Sequence, residues 1–88
     1  MKGFGFMHQV LRTSKILGAA IARRRKIAGL TQSDLAAKVN TRQATISDLE
    51  NGKGGTRIDI VFAIMAAVNL EIVLQDRDAG KKMIADIF

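Results

Sequence analysis

Residues 31–53 read TQSDLAAKVNTRQATISDLENGK, and their spacing decides the architecture. Leu35, Ala36 and Val39 fall on one face of a short helix, at the i, i+1, i+4 spacing of a core stripe. At Asn40 the chain must reverse within a few residues, and Asn tolerates the left-handed backbone that such a reversal uses. Beyond it, Ile46 and Leu49 form the inner face of a second helix. The opposite arc carries Gln43, Ala44, Ser47, Asp48 and Asn51 in place of the long charged side chains of an ordinary solvent face. Side chains this small suit close approach to base edges. Two short helices, a tight turn and that outer arc form the layout of a helix-turn-helix.

Working outward, a preceding helix is expected to start near Thr13 or Ser14, either of which can accept a hydrogen bond from a free first-turn amide. Leu17, Ala20, Ile21 and Ala28 mark its buried side, and Gly29 ends it. Thr31 with Asp34 three residues on is a capping pattern, and Thr41 is expected to cap the second helix of the motif, with Arg42 entering it. Thr56 and Asp59 repeat the pattern before a helix in which Ile58, Ile60, Val61, Phe62, Ile64, Met65 and Val68 leave hardly any polar face. A helix apolar nearly all round must be buried on nearly all sides, so in a chain of 88 residues one side is expected to meet another subunit.

Glu71–Gln75, EIVLQ, is a short β-prone run with no second convincing strand to satisfy its amides and carbonyls. The symmetric solution is antiparallel pairing across a two-fold axis, which gives a homodimer; pairing with Phe4 to Val10 of the same chain competes with it. The expected organisation is an N-terminal arm over residues 1–12, a helix-turn-helix domain over 13–70, a dimerisation strand over 71–76 and a tail over 77–88. Met83, Ile84, Ile87 and Phe88 of the tail share one helical face, suited to docking on a partner, packing on the dimer or ordering on binding.

Charge and composition bound the function. Residues 1–57 hold 11 Lys/Arg against 3 Asp/Glu, whereas residues 58–88 hold 3 against 5, so the basic half is the half that contains the motif. A basic face beside a helix-turn-helix points to nucleic acid. There is no Cys for a disulfide framework or thiolate metal site, no metal-ligand cluster at workable spacing, and no cofactor is implied. His8 is the single histidine, with no nucleophile or paired acid near it in sequence, so an enzyme is not expected. The loop Asn51–Thr56 is glycine-rich but lacks the preceding strand and the spacing of a nucleotide-binding loop. No apolar run is long enough to span a bilayer and the first ten residues lack a cleavage site, which makes a cytoplasmic protein the simplest reading.

The run GLTQSDLAAKVNTRQATISDLENGK resembles the lambda-repressor-like helix-turn-helix family, which includes phage Cro and repressor domains and bacterial antitoxins. The resemblance extends from about Leu17 to Leu74, and its most specific pieces are Gly29–Gln32, Leu35–Ala36, Ile46–Ser47 and Leu49–Gly52. It implies a mainly α bundle with one short C-terminal β-strand pairing across a dimer. It also implies that Gln43 is the leading base reader, Ala44 lies against a thymine methyl or base edge, and Ser47 meets a base or phosphate. Gln32, at the start of the motif's first helix, is implied to meet the DNA backbone. Arg42, Thr45, Asn51 and Lys53 are better placed for backbone contacts, and Asp48 is expected to point outward. Arg25 is implied to pair with Glu50 and to be oriented by it toward a phosphate. Arg24 stands where the family often has an aliphatic residue, so its stem is expected over the core edge with its guanidinium outside. Asn69 takes a helix-ending position that is often Gly.

The helix and strand after the motif are most similar to HipB-type antitoxins, with Phe62, Met65, Ile72, Val73 and Leu74 as dimerisation residues. That likeness implies a homodimer on palindromic operator DNA, nucleoid-associated when bound, that also neutralises a HipA-type serine/threonine kinase toxin. The alternative is a stand-alone Cro-like regulator; co-purification of a kinase separates the two.

Overall fold

Each helix is bounded by identifiable local chemistry. The computed structural model describes residues 8–77, which form four helices: α1 (Ser14–Ile27), α2 (Gln32–Lys38), α3 (Gln43–Glu50) and α4 (Ile58–Ala67). Residues 1–7 of the expected arm and 78–88 of the expected tail lie outside the described residues. The Thr13 hydroxyl accepts from the Ile16 amide at 3.1 Å and caps α1. Thr31 and Asp34 form a reciprocal capping box on α2, at 3.0 and 2.9 Å.

All four helices stop by one device. Gly29, Asn40, Gly52 and Asn69 have φ of 77°, 57°, 78° and 62°. The residue after each donates its amide five residues back: Leu30 to Arg25, Thr41 to Ala36, Lys53 to Asp48 and Leu70 to Met65, at 2.8–3.1 Å. The left-handed turns expected at Gly29, Asn40 and Asn69 are therefore present.

Two expected helix starts are corrected. The Arg42 backbone, not Thr41, occupies the cap position of α3, and no side chain caps that helix. Thr41 is already committed, because its amide closes the end of α2 at 2.9 Å from the Ala36 carbonyl. Likewise Arg57 and not Thr56 precedes α4. Asp59 there binds the Ile60 amide at 2.9 Å and the Arg57 guanidinium at 3.0 Å.

The core draws Ile21 from α1, Leu35 and Ala36 from α2, Ile46 and Leu49 from α3, and Val61, Ile64, Met65 and Val68 from α4 and its end. Leu17 packs against it, whereas Ala28, expected to be buried, is exposed at the end of α1. α1 and α2 both pack on α3, and α4 closes the bundle against α2. The α1–α3 crossing brings backbone onto backbone. A Cβ at Gly18 would lie 2.2 Å from the Leu49 carbonyl oxygen, and one at Gly52 would lie 2.7 Å from the Lys15 Cα.

Residues 71–77 are exposed, and no strand occurs among the described residues. Of the competing segment Phe4 to Val10, residues 4–7 lie outside the described residues; among the described ones no backbone hydrogen bond joins residues 8–12 to 71–75. These two segments instead flank an open groove lined by Val10, Leu11, Arg24, Leu70, Ile72 and Leu74 among others.

Candidate nucleic-acid interface

α3 is anchored by the buried apolar side chains Ile46 and Leu49 and, at its last residue, by the Glu50 carboxylate, and it turns its opposite arc outward. Gln43, Ala44, Asp48 and Asn51 are exposed, and Thr45 and Ser47 are half-buried at the edges of that arc. Arg42 is exposed just before α3, and Lys53 just after it. The structure thus brings the expected base-reading residues onto one surface, flanked by two cations.

Some of these side chains are already engaged. Asn51 Nδ2 donates to the Ser47 carbonyl at 2.9 Å and so closes the last turn of α3. Lys53 Nζ lies 3.6 Å from Asp48 Oδ1, with both side chains largely exposed, so the attraction is weak and screened. Asp48 points outward, as expected.

Behind the surface lies a buried ion pair. Arg25 Nε and Nη2 donate to Glu50 Oε2 and Oε1 at 2.6 and 2.9 Å, and Nη1 donates to the Leu30 carbonyl at 2.9 Å. The side chains are 9% and 6% exposed. The expected pair is therefore present, and it ties α1 to the end of α3. All three guanidinium nitrogens of Arg25 donate to protein acceptors, which leaves two of its five N–H groups for the expected phosphate contact. Burial pushes the Glu50 carboxyl up, but the hydrogen bonds from Arg25 and Gln32 and the nearby charges of Arg25 and Lys26 together hold it below the usual carboxylate value. The hydrogen bond to Glu50 raises Arg25 against the opposing effect of burial.

The polar network then runs outward. Gln32 Nε2 donates to Glu50 Oε1 at 3.0 Å, Gln43 Nε2 donates to Gln32 Oε1 at 3.4 Å, and the Ser33 hydroxyl donates to Gln43 Oε1 at 3.0 Å. Gln32 is thus half-buried at the joint between α2 and α3. Ser33 was not legible as a site residue, since helical periodicity reports faces and not side-chain partners ten residues apart. Arg24 holds another unforeseen contact: Nη2 donates to the Asn69 carbonyl at 3.3 Å, a cation closing the end of α4. Of the expected dimerisation residues, Met65 is corrected, since it is 4% exposed within the chain's own core. Phe62, Ile72, Val73 and Leu74 are exposed.

A family model described as helix-turn-helix matches residues 21–74, more than half of the chain. The chain belongs to the lambda-repressor-like helix-turn-helix family. Within that family it is 42% identical over 48 residues to antitoxin HipB of Escherichia coli K12, covering 54% of each chain. It is 36% identical over 70 residues to endothelial differentiation-related factor 1 of Rattus norvegicus, covering 80% of this chain and 46% of the relative. The chain thus spans about half the length of the curated relatives it matches. Its fold is similar to a chain in a solved HipA-HipB-O2-O3 complex, with a TM-score of 0.73 and 34% identity. A HipB-O4 20mer complex gives the same values, and each alignment covers 81% of this chain and all of the other. The matched region contains α2 and α3, the two helices of the motif. Among the described residues no helix is long and apolar enough to cross a membrane, and no group of three or more metal-ligating side chains occurs.

Proposed function

We propose that the chain is a sequence-specific DNA-binding repressor of the HipB antitoxin type, acting as a homodimer without catalytic activity of its own. The observation that carries this is the outer arc of α3, where small polar side chains face outward over a helix held from behind by Ile46, Leu49 and the Glu50 ion pair. In this reading α3 enters the major groove. Gln43, Ala44 and Ser47 meet base edges, and Gln32, Arg42, Thr45, Asn51 and Lys53 meet the backbone. Arg25 acts from inside, by holding α1 and α3 in register.

The dimer is proposed from the exposed Phe62 on α4 and the exposed run Ile72–Leu74, whose backbone makes no hydrogen bond to another described residue and suits pairing with the same run of a second copy. Two α3 helices related by a two-fold axis then read a palindrome with half-sites about one helical turn apart. The HipA-type kinase partner is proposed from the likeness to HipB in its complex with HipA. The longer match to endothelial differentiation-related factor 1 favours the second reading, a regulator with no toxin.

The decisive experiment is recovery of the tagged protein from its host, with identification of bound protein and sequencing of bound DNA. A HipA-like kinase together with DNA supports the antitoxin, DNA alone supports the stand-alone regulator, and a kinase without DNA overturns the role given to α3. Gln43→Ala is expected to relax base choice, whereas Lys53→Ala weakens binding to all sequences alike; a uniform loss with Gln43→Ala removes Gln43 from the base-reading set.

A further inference from the structure

The hydrogen bonds that run from the buried ion pair to the outer surface of α3 have a direction, and one end fixes it. An ionised carboxylate only accepts, so Gln32 must turn its Nε2 toward Glu50, at 3.0 Å. That leaves Gln32 Oε1 facing Gln43, which answers with its own Nε2 at 3.4 Å. Gln43 Oε1 is thereby placed on the far side, where the Ser33 hydroxyl donates to it at 3.0 Å. A carboxamide held at one end alone turns about its last torsion, which is broad and weakly restrained. Ser33 supplies the second point of attachment and so fixes the plane of the group.

We infer that Ser33 is a positioning residue for base recognition, its hydroxyl and the Gln32 side-chain oxygen Oε1 together holding the Gln43 carboxamide in one orientation. In that orientation one N–H and one oxygen lone pair of Gln43 remain for a ligand. One donor beside one acceptor matches the N7 and N6 edge of adenine in the major groove. Guanine offers two acceptors there and needs two donors, but the second N–H of Gln43 is taken by Gln32. The ion pair inside the domain thereby determines, through two glutamines and a serine, which base the surface accepts. This rests on the proposed reading of α3 as the DNA-facing helix, and it adds the residue that orients the reader.

The test uses the full chain and a pool of DNA duplexes with a randomised core. Bound duplexes are sequenced for the wild type, Ser33→Ala, Ser33→Thr and Gln43→Ala, and a thermal melt is recorded for each. Wild type is expected to select adenine at one position of each half-site, and Gln43→Ala to lose that selection. Ser33→Ala should lower the adenine-to-guanine ratio at that position about tenfold. Its melting temperature and its affinity for random-sequence DNA should stay as in wild type, and Ser33→Thr, which keeps the hydroxyl, should restore the ratio. If Gln43→Ala relaxes the position while Ser33→Ala keeps the wild-type ratio, the inference is overturned and the reading of α3 stands. A uniform loss of affinity in Ser33→Ala without a changed ratio, or selection of guanine by the wild type, overturns it too. If the wild type selects no sequence, or Gln43→Ala leaves selection intact, the reading of α3 falls and takes the inference with it.

Discussion

At the scale of single residues, the Arg25–Glu50 pair is where stability and proposed function meet. Truncating Arg25 strands a carboxylate that is 6% exposed, so Arg25→Ala is expected to cost about 3 kcal/mol in urea-unfolding free energy. A variant that unfolds like the wild type shows the pair to be dispensable. The pair also sets an acid limit. The Glu50 value is lowered in the folded chain, so its stabilisation is fully present above the unfolded carboxylate value of about 4.3 and is lost as pH falls through the lower folded value. Asp34, lowered by its backbone and side-chain hydrogen bonds with Thr31, acts in the same direction. Melting temperature should therefore fall on acidification below about pH 4, and Glu50→Gln should flatten that fall. An unchanged slope in Glu50→Gln assigns the acid sensitivity elsewhere. The pair was legible only through resemblance to a family, because no local pattern joins residues 25 apart. Its extension through Gln32 to Ser33 was not legible at all, since it depends on how two helices cross.

At the scale of elements, the helix ends were read more successfully than the helix starts. A left-handed position restricts the residue so strongly that Gly or Asn marks it in the sequence, and four such positions end four helices. A start can slip by one residue, because Thr41 and Arg42 both lie in a four-residue connection and the amide of Thr41 belongs to the end of α2. The Asn positions carry a testable cost. Asn69→Gly is expected to change stability by no more than a few tenths of a kcal/mol, whereas Asn69→Ala loses about 1 kcal/mol by denaturant melting. Equal effects of the two would mean that the left-handed turn is not what Asn69 supplies. Gly18 was missed, though an isolated glycine within a helical pattern is a recognised sign of close packing. Its place under the Leu49 and Glu50 carbonyls predicts that Gly18→Ala destabilises the chain by about 1–3 kcal/mol despite the better helix propensity of Ala. A stabilised variant would show that the α1–α3 crossing yields easily.

At the scale of the whole molecule, the apolar pattern of α4 divides into two faces. Val61, Ile64, Met65 and Val68 complete the chain's own core, while Ile58 and Phe62 stay exposed, 64% and 53%. The sequence alone could not assign Met65, because a helix apolar all round does not say which side meets its own chain. Leu74 is 92% exposed in a run otherwise suited to a strand. The double variant Phe62→Ser, Leu74→Asp is therefore expected to sediment as a monomer where the wild type sediments as a dimer, with helix content by circular dichroism unchanged. A wild-type monomer at micromolar concentration would remove the proposed assembly. Binding of the dimer to duplex DNA should weaken steeply and log-linearly with salt, since displaced counterions scale with phosphate contacts.

The confinement of α3's anchorage to Ile46, Leu49 and Glu50 has a consequence for how such a protein changes its target. Ala44 and Asp48 touch neither the core nor the internal polar network, so new residues there can alter what is recognised while the scaffold persists. Gln43 is different, because it shares hydrogen bonds with Gln32 and Ser33 and has to be exchanged together with them. Retargeting by inheritance or by design would then proceed one letter at a time at the first two positions, and only by coordinated replacement at the third.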